Sequence, residues 1–297
     1  MTTVVPAANR AATAIARATV RQITAPILPI ALQRRLAYAM GRPLWGARAA
    51  VSQSVIAGVP AEVVTPPVTR GERRIIYLHG GGYVCGSPRG ERPITTHLAT
   101  MAGATVFALA YRLAPEHPLP AGLDGVIAAY RELSADDGAT SGIVLAGESA
   151  GAGLALAAAI AIRDANLRPP ASVLLFSPPT DQTMSGESMT ARARRDPLLN
   201  VAGVDRWFSL YRGGVPADDP RCSPLFADLR DLPPIFVQVG SEEVLFSDAE
   251  RLAAACPSAH LDVLDGCFHG FQLLASVVPA AHEALARAAR FAEEAWS

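Results

Sequence analysis

Two short strings in this 297-residue chain could do chemistry together. Gly147-Glu148-Ser149-Ala150-Gly151 sets a serine between two glycines, and His79-Gly80-Gly81-Gly82-Tyr83 lies well upstream. A serine hydroxyl attacks a carbonyl carbon when a neighbouring base takes its proton. The tetrahedral product carries an oxyanion, which backbone N–H groups can hold. Glycines reach positive φ freely and so let a loop turn its N–H groups into a cleft. The pair of strings predicts acyl transfer, with Ser149 as nucleophile and the N–H groups of Gly81, Gly82 and Ala150 as oxyanion donors. A phosphate cradle fits poorly, because all 26 basic residues are Arg and no G-x-G-x-x-G opens a helix. The lack of lysine also excludes a lysine nucleophile.

A base and an acid must complete the apparatus. Six histidines are available, at 79, 97, 117, 260, 269 and 282. The base of such a site comes late, in a loop after the last strand, and His269 in Gly266-Cys267-Phe268-His269-Gly270-Phe271 fits. His79 fixes its loop in this reading, and His282 sits on a helix surface. His97, His117 and His260 have no supporting context. The acid should follow a strand end between serine and histidine. Glu242, Glu243 and Asp248 compete after the strand at 235–239, with Asp181 as a fourth candidate. Spacing alone leaves the choice open.

These groups need a scaffold that delivers each at a strand end. Short apolar runs at 74–78, 105–109, 143–146, 173–176, 235–239 and 261–264 read as strands. Helical patterns fall between them at 90–102, 120–134, 150–165, 246–256 and 279–296. Such alternation predicts an α/β fold with a mainly parallel sheet covered by helices on both faces. The polar, Arg-rich stretch 182–222 breaks the rhythm, with one helix near 201–212. Two further helices are expected at 7–22 and 30–40.

Composition narrows the function. Net charge is −1, which gives no electrostatic case for nucleic acid or an anionic membrane surface. No window holds the roughly 18 uninterrupted apolar residues that span a bilayer. No signal-peptide pattern opens the chain, so a cytoplasmic protein without stable membrane insertion is expected. Cys85, Cys222, Cys256 and Cys267 form no metal spacing and read as reduced thiols. No metal or cofactor is expected.

Five strings, in order, carry a family resemblance. They are His79-Gly-Gly-Gly-Tyr83, Tyr111-Arg-Leu-Ala-Pro-Glu-His-Pro118, Gly147-Glu-Ser-Ala-Gly151, Asp196-Pro-Leu198 and His269-Gly-Phe271. On them the chain resembles the hormone-sensitive-lipase-like α/β-hydrolases, the bacterial family IV esterases. The resemblance implies the α/β-hydrolase fold and a catalytic triad of Ser149, Glu243 and His269. Glu243-Val244-Leu245 stands where many members read Asp-Pro-Leu, and Glu148 stands where an aspartate is commoner beside the nucleophile. A helical cap would come from 1–50 and 182–222, over a core formed by 51–181 and 223–297. The implied activity is a serine carboxylesterase acting on small short- to medium-chain esters, with a lactone hydrolase as the alternative. An inactive binding protein and an amidase are the more distant rivals. The resemblance also leaves a homodimer open.

Overall fold

The computed structural model describes residues 21, 24–40, 46–135 and 142–297. Of the helix expected at 7–22, only Arg21 falls among them. The second expected helix is α1 (Ile30–Met40).

Among the described residues, eight strands form one sheet in the order β1-β2-β4-β3-β5-β6-β7-β8. They are β1 (Ala50–Ile56), β2 (Val59–Thr65), β3 (Arg74–Leu78), β4 (Thr105–Leu109), β5 (Ile143–Glu148), β6 (Ser172–Phe176), β7 (Ile235–Gly240) and β8 (Ala259–Leu264). From β4 to β8 every neighbouring pair is parallel. The six strands read from apolar runs are all present. The antiparallel pair β1 and β2 is an addition to that reading.

The central strands are apolar along their length because both faces are covered. On one face Ile76, Leu145, Leu175 and Val237 pack beneath α3 (Ala121–Ser134), α4 (Ala150–Asp164) and α7 (Phe246–Ala255). On the other, Ile75, Val144, Leu174 and Phe236 meet α2 (Arg92–Ala102) and α8 (Pro279–Ala295). Successive residues of each strand serve opposite cores, as the pleat dictates. None of the described helices is long and apolar enough to cross a membrane.

Helix α4 is rich in Ala and Gly for a packing reason. A Cβ on Gly151 would fall on the backbone carbonyls of Leu78 and His79, and one on Gly153 would fall on the Tyr83 hydroxyl and the Pro179 carbonyl. The helix therefore lies against the end of β3, which holds the serine loop close to the glycine loop.

The stretch 182–222 contains α5 (Ser188–Ala191) and α6 (Val201–Arg212). It is tied to the N-terminal segment by polar contacts. Trp207 Nε1 donates to Gln33 Oε1 at 2.9 Å, and Arg206 Nη1 donates to the carbonyls of Pro26 and Leu28. Arg34 on α1 reaches down to the carbonyls of Val84 and Ala114 and pairs with Glu116.

Gly151→Ala adds one methyl where only backbone could yield, and overpacking of this kind costs about 2–3 kcal/mol. Urea unfolding should show that loss, even though alanine favours helix. A variant as stable as the parent would mean that α4 can move off β3.

Candidate active site

Ser149 follows β5 directly and caps α4. Its φ of 52° and ψ of −125° lie in a region that non-glycine residues rarely occupy. The flanking glycines make the turn possible, since a Cβ on Gly147 would strike the Gly151 carbonyl. The Ser149 N–H donates to the Phe176 carbonyl at 2.8 Å, which pins the turn to the neighbouring strand.

His269 lies on the loop after β8 and is 2% exposed. Its Nε2 stands 2.8 Å from Ser149 Oγ, and its Nδ1 stands 2.8 Å from Glu243 Oε2. A carboxylate can only accept, so Nδ1 carries the hydrogen and Nε2 is left to accept from the serine hydroxyl. Gly270, in the left-handed region at φ 67°, turns the chain just after the ring.

Glu243 lies three residues beyond β7 and is fully buried. Its other oxygen, Oε1, accepts from Ser177 Oγ at 2.8 Å and from the Gly240 N–H at 2.6 Å. With both oxygens engaged, the carboxylate is fixed in place. Asp196 steadies the next residue, accepting from the Val244 N–H at 3.0 Å. The same carboxylate accepts from the N–H groups of Leu198 and Leu199. The Asp-Pro-Leu string thus ties 182–222 to the Glu243 loop.

The other three acid candidates lie elsewhere. Glu242 pairs with Arg195. Asp248 accepts from the Thr180 and Asp181 N–H groups, and burial pushes its carboxyl up to about 7. Asp181 pairs with Arg251 and accepts from Thr183 and Ser185.

The glycine loop crosses beside the serine. Gly81 and Gly82 have φ of 112° and 62°, both favouring glycine. The N–H groups of Val84 and Cys85 fold back on the Gly81 carbonyl, closing the loop into a turn. Trp207 of α6 rests where a Cβ on Gly82 would be. Burial pushes His79 down to about 4, so it stays neutral, and its Nδ1 donates to the Gly80 carbonyl at 2.8 Å. The Tyr111 hydroxyl donates to the His79 carbonyl at 2.7 Å, and its ring stacks on the imidazole at 4.3 Å. That stacking accounts for the tyrosine opening the 111–118 string.

Burial alone would lower the His269 pKa. The hydrogen bond and charge of Glu243, with the charges of Glu148 and Asp196, outweigh it and raise the imidazole to about 9. Several of these partners escaped sequence reading. Ser177, at φ 53°, carries no motif. The buried acids Glu91 and Glu148 were not foreseen as a pair. Gln33 had no signal linking it to Trp207.

Comparison with known proteins meets this geometry. Residues 75–273 match the family model described as the alpha/beta hydrolase fold. The chain belongs to the hormone-sensitive-lipase-like branch of the α/β-hydrolases. An acetyl-hydrolase of Streptomyces hygroscopicus is 39% identical over 264 residues, covering 87% of this chain and 88% of the relative. A carboxylesterase of Mycobacterium tuberculosis, NlhH, is 36% identical over 243 residues, covering 77% and 76%. The crystal structure of an esterase from the bacterial hormone-sensitive lipase family superposes with a TM-score of 0.92 at 36% identity, covering 99% of this chain and all of that one. The family implied by the five strings is the family found.

The raised imidazole gives a direct test. Histidine NMR should place the His269 titration well above the ordinary value near ~6.5. Glu243→Gln should lower it, because the hydrogen-bonded charge is gone. Asp248→Asn should leave it in place. An unshifted titration in Glu243→Gln would separate Glu243 from the ring.

Proposed function

We propose that this α/β-hydrolase is a serine carboxylesterase that works through an acyl-enzyme on Ser149. The observation that carries the reading is the chain of two contacts from Ser149 Oγ through His269 to Glu243, each 2.8 Å long. Ester hydrolysis itself is the common property of the esterase relatives.

His269 takes the serine proton as Oγ attacks the ester carbonyl. Glu243 holds the tautomer and balances the imidazolium charge. The N–H groups of Gly81, Gly82 and Ala150 receive the oxyanion, Ala150 adding the N-terminal end of α4. His269 then protonates the leaving alcohol, and water repeats the sequence on the acyl-enzyme.

The cap in this reading comprises 1–50 and 182–222, and the core comprises 51–181 and 223–297. The Gln33–Trp207 and Arg206 contacts support a joint unit, and Trp207 over Gly82 supports its role as a wall of the substrate space. Two relatives named as acetyl-hydrolases favour short acyl groups among the short- to medium-chain esters.

Ser149→Ala should lose about 10⁴-fold or more in kcat, the scale seen when a triad nucleophile is removed, while keeping its fold by circular dichroism. A series of p-nitrophenyl esters should show acetate and butyrate turned over and palmitate refused. Trp207→Ala should extend turnover toward longer chains. Full activity in Ser149→Ala would overturn the reading, and equal rates across the series would overturn the short-chain preference.

A further inference from the structure

The proposed mechanism leaves one carboxyl group beside the reacting atoms without a part. Glu148 ends β5, immediately before Ser149, and its side chain is buried. Its Oε1 lies 3.5 Å from His269 Nε2, the nitrogen that also faces Ser149 Oγ. Two glycines leave room for this carboxyl. A Cβ on Gly80 would collide with Oε2, and one on Gly270 would come within 3.1 Å of Oε1. Gly80 belongs to the glycine loop and Gly270 to the histidine loop. The carboxyl is therefore lodged between the two loops that carry the oxyanion donors and the base.

A second buried acid stands behind it. Glu91 accepts from the Tyr77 hydroxyl at 2.9 Å and from the Gly80 backbone. Burial pushes Glu91 up to about 7 and Glu148, which also feels Glu91, up to about 8, so Glu148 is ionised in the alkaline range where His269 gives up its proton. The groups facing Glu148 are Glu91 and Tyr77 on one side, Tyr111 beneath the glycine loop, and His269 with Glu243 on the other. His269 in turn faces Glu148, Glu243, Asp196 and Ser149. Tyr77 and Tyr111 are held in their neutral forms by burial. Glu148 Oε1, at 3.5 Å, is the carboxyl oxygen that faces Nε2.

We propose that Glu148 is a positioning residue for His269, a second acceptor for the Nε2 proton that the imidazole takes from Ser149. The inference rests on the acyl-enzyme reading above. As the Oγ–carbon bond forms, the proton passes from Oγ to Nε2 and the carbonyl electron pair moves onto the oxyanion. The new Nε2–H can then lean toward Glu148 Oε1 while Oγ is bonded to carbon. It returns to the alcohol oxygen as the carbon–oxygen bond breaks, so no proton is left on Glu148. The contact holds the ring in line and steadies the imidazolium between the two transfers.

The test is the pH profile of kcat/KM for p-nitrophenyl acetate in Glu148→Gln and Glu148→Asp, with wild type and Ser149→Ala alongside. The base must be neutral, so activity falls as pH drops through the His269 pKa. Removing a negative charge near Nε2 lowers that pKa by about one unit or more. The acid limb of Glu148→Gln should move down accordingly where Glu148 is ionised, and between about pH 8 and about pH 9 the variant should keep several-fold more of its own plateau rate. Its KM should be unchanged and its plateau kcat lower. Glu148→Asp, with the carboxylate drawn back by one methylene, should fall between the two. An acid limb identical to wild type in either variant would overturn the proposal, whatever the effect on stability. If Glu148→Gln does not fold, the limb of Glu148→Asp decides alone. An active Ser149→Ala would instead overturn the acyl-enzyme reading, so the two failures are distinguishable.

Discussion

Ser149 occupies a backbone conformation that few side-chain-bearing residues adopt, and the site is organised around that turn. The turn stands because Gly147 and Gly151 have no Cβ to obstruct it and because the Ser149 N–H is anchored to β6. With α4 pressed on the end of β3, the serine meets the glycine loop. Every other group then arrives from a neighbouring strand end. β3 delivers Gly81 and Gly82, β6 delivers Ser177, β7 delivers Glu243 and β8 delivers His269. A parallel sheet puts all these ends on one edge, which is where open α/β sheets bind their ligands. The turn is thus a local strain held by tertiary packing, as strained backbone at functional sites generally is.

Around the serine, the protein concentrates negative charge on one imidazole. Glu243, Glu148 and Asp196 all raise the affinity of His269 for a proton, against a burial that opposes it. In the proposed mechanism, a base strengthened in this way would take the serine proton more readily but would be available only at higher pH. Geometry divides the carboxyls by task. Glu243 has both oxygens occupied by hydrogen bonds and cannot turn. Glu148 is held by shape, between two glycines, with an oxygen facing the ring. The 182–222 stretch joins the same network through Asp196, whose carboxylate accepts both from Leu198 and Leu199 within that stretch and from Val244 beside Glu243.

Much of this was legible from residue order. The β3–β8 strands are unbroken apolar runs because both faces are buried, and such runs announce themselves. β1 and β2 do not. Ser52, Gln53 and Ser54 interrupt any apolar pattern, and the strand lies at an exposed edge. Only the Ala57-Gly58 turn, with φ of 48° and 79°, marks the hairpin, and a two-residue turn ending in glycine is the signal that could have found it. Ser149 and His269 stood out because their chemistry demands glycine-rich surroundings. Among the acids, spacing left four candidates open and only the family resemblance pointed to Glu243, the one of the four that lies against the ring. The Glu91–Glu148 pair stayed hidden because burying two carboxyls is unfavourable, so nothing in local pattern suggests it. Only the sheet brings β3, β5 and the segment after the glycine loop into contact.

The central claim is that an acyl group rests on Ser149 during turnover. The most direct measurement is to quench the protein in acid while it hydrolyses an acetyl ester, digest it, and map the acetyl group by mass spectrometry. The account predicts acetylation at Ser149, absent from Ser149→Ala and vanishing as the ester is consumed. An acetyl group carried on another side chain, or sustained turnover with no acyl group trapped at Ser149, would contradict it.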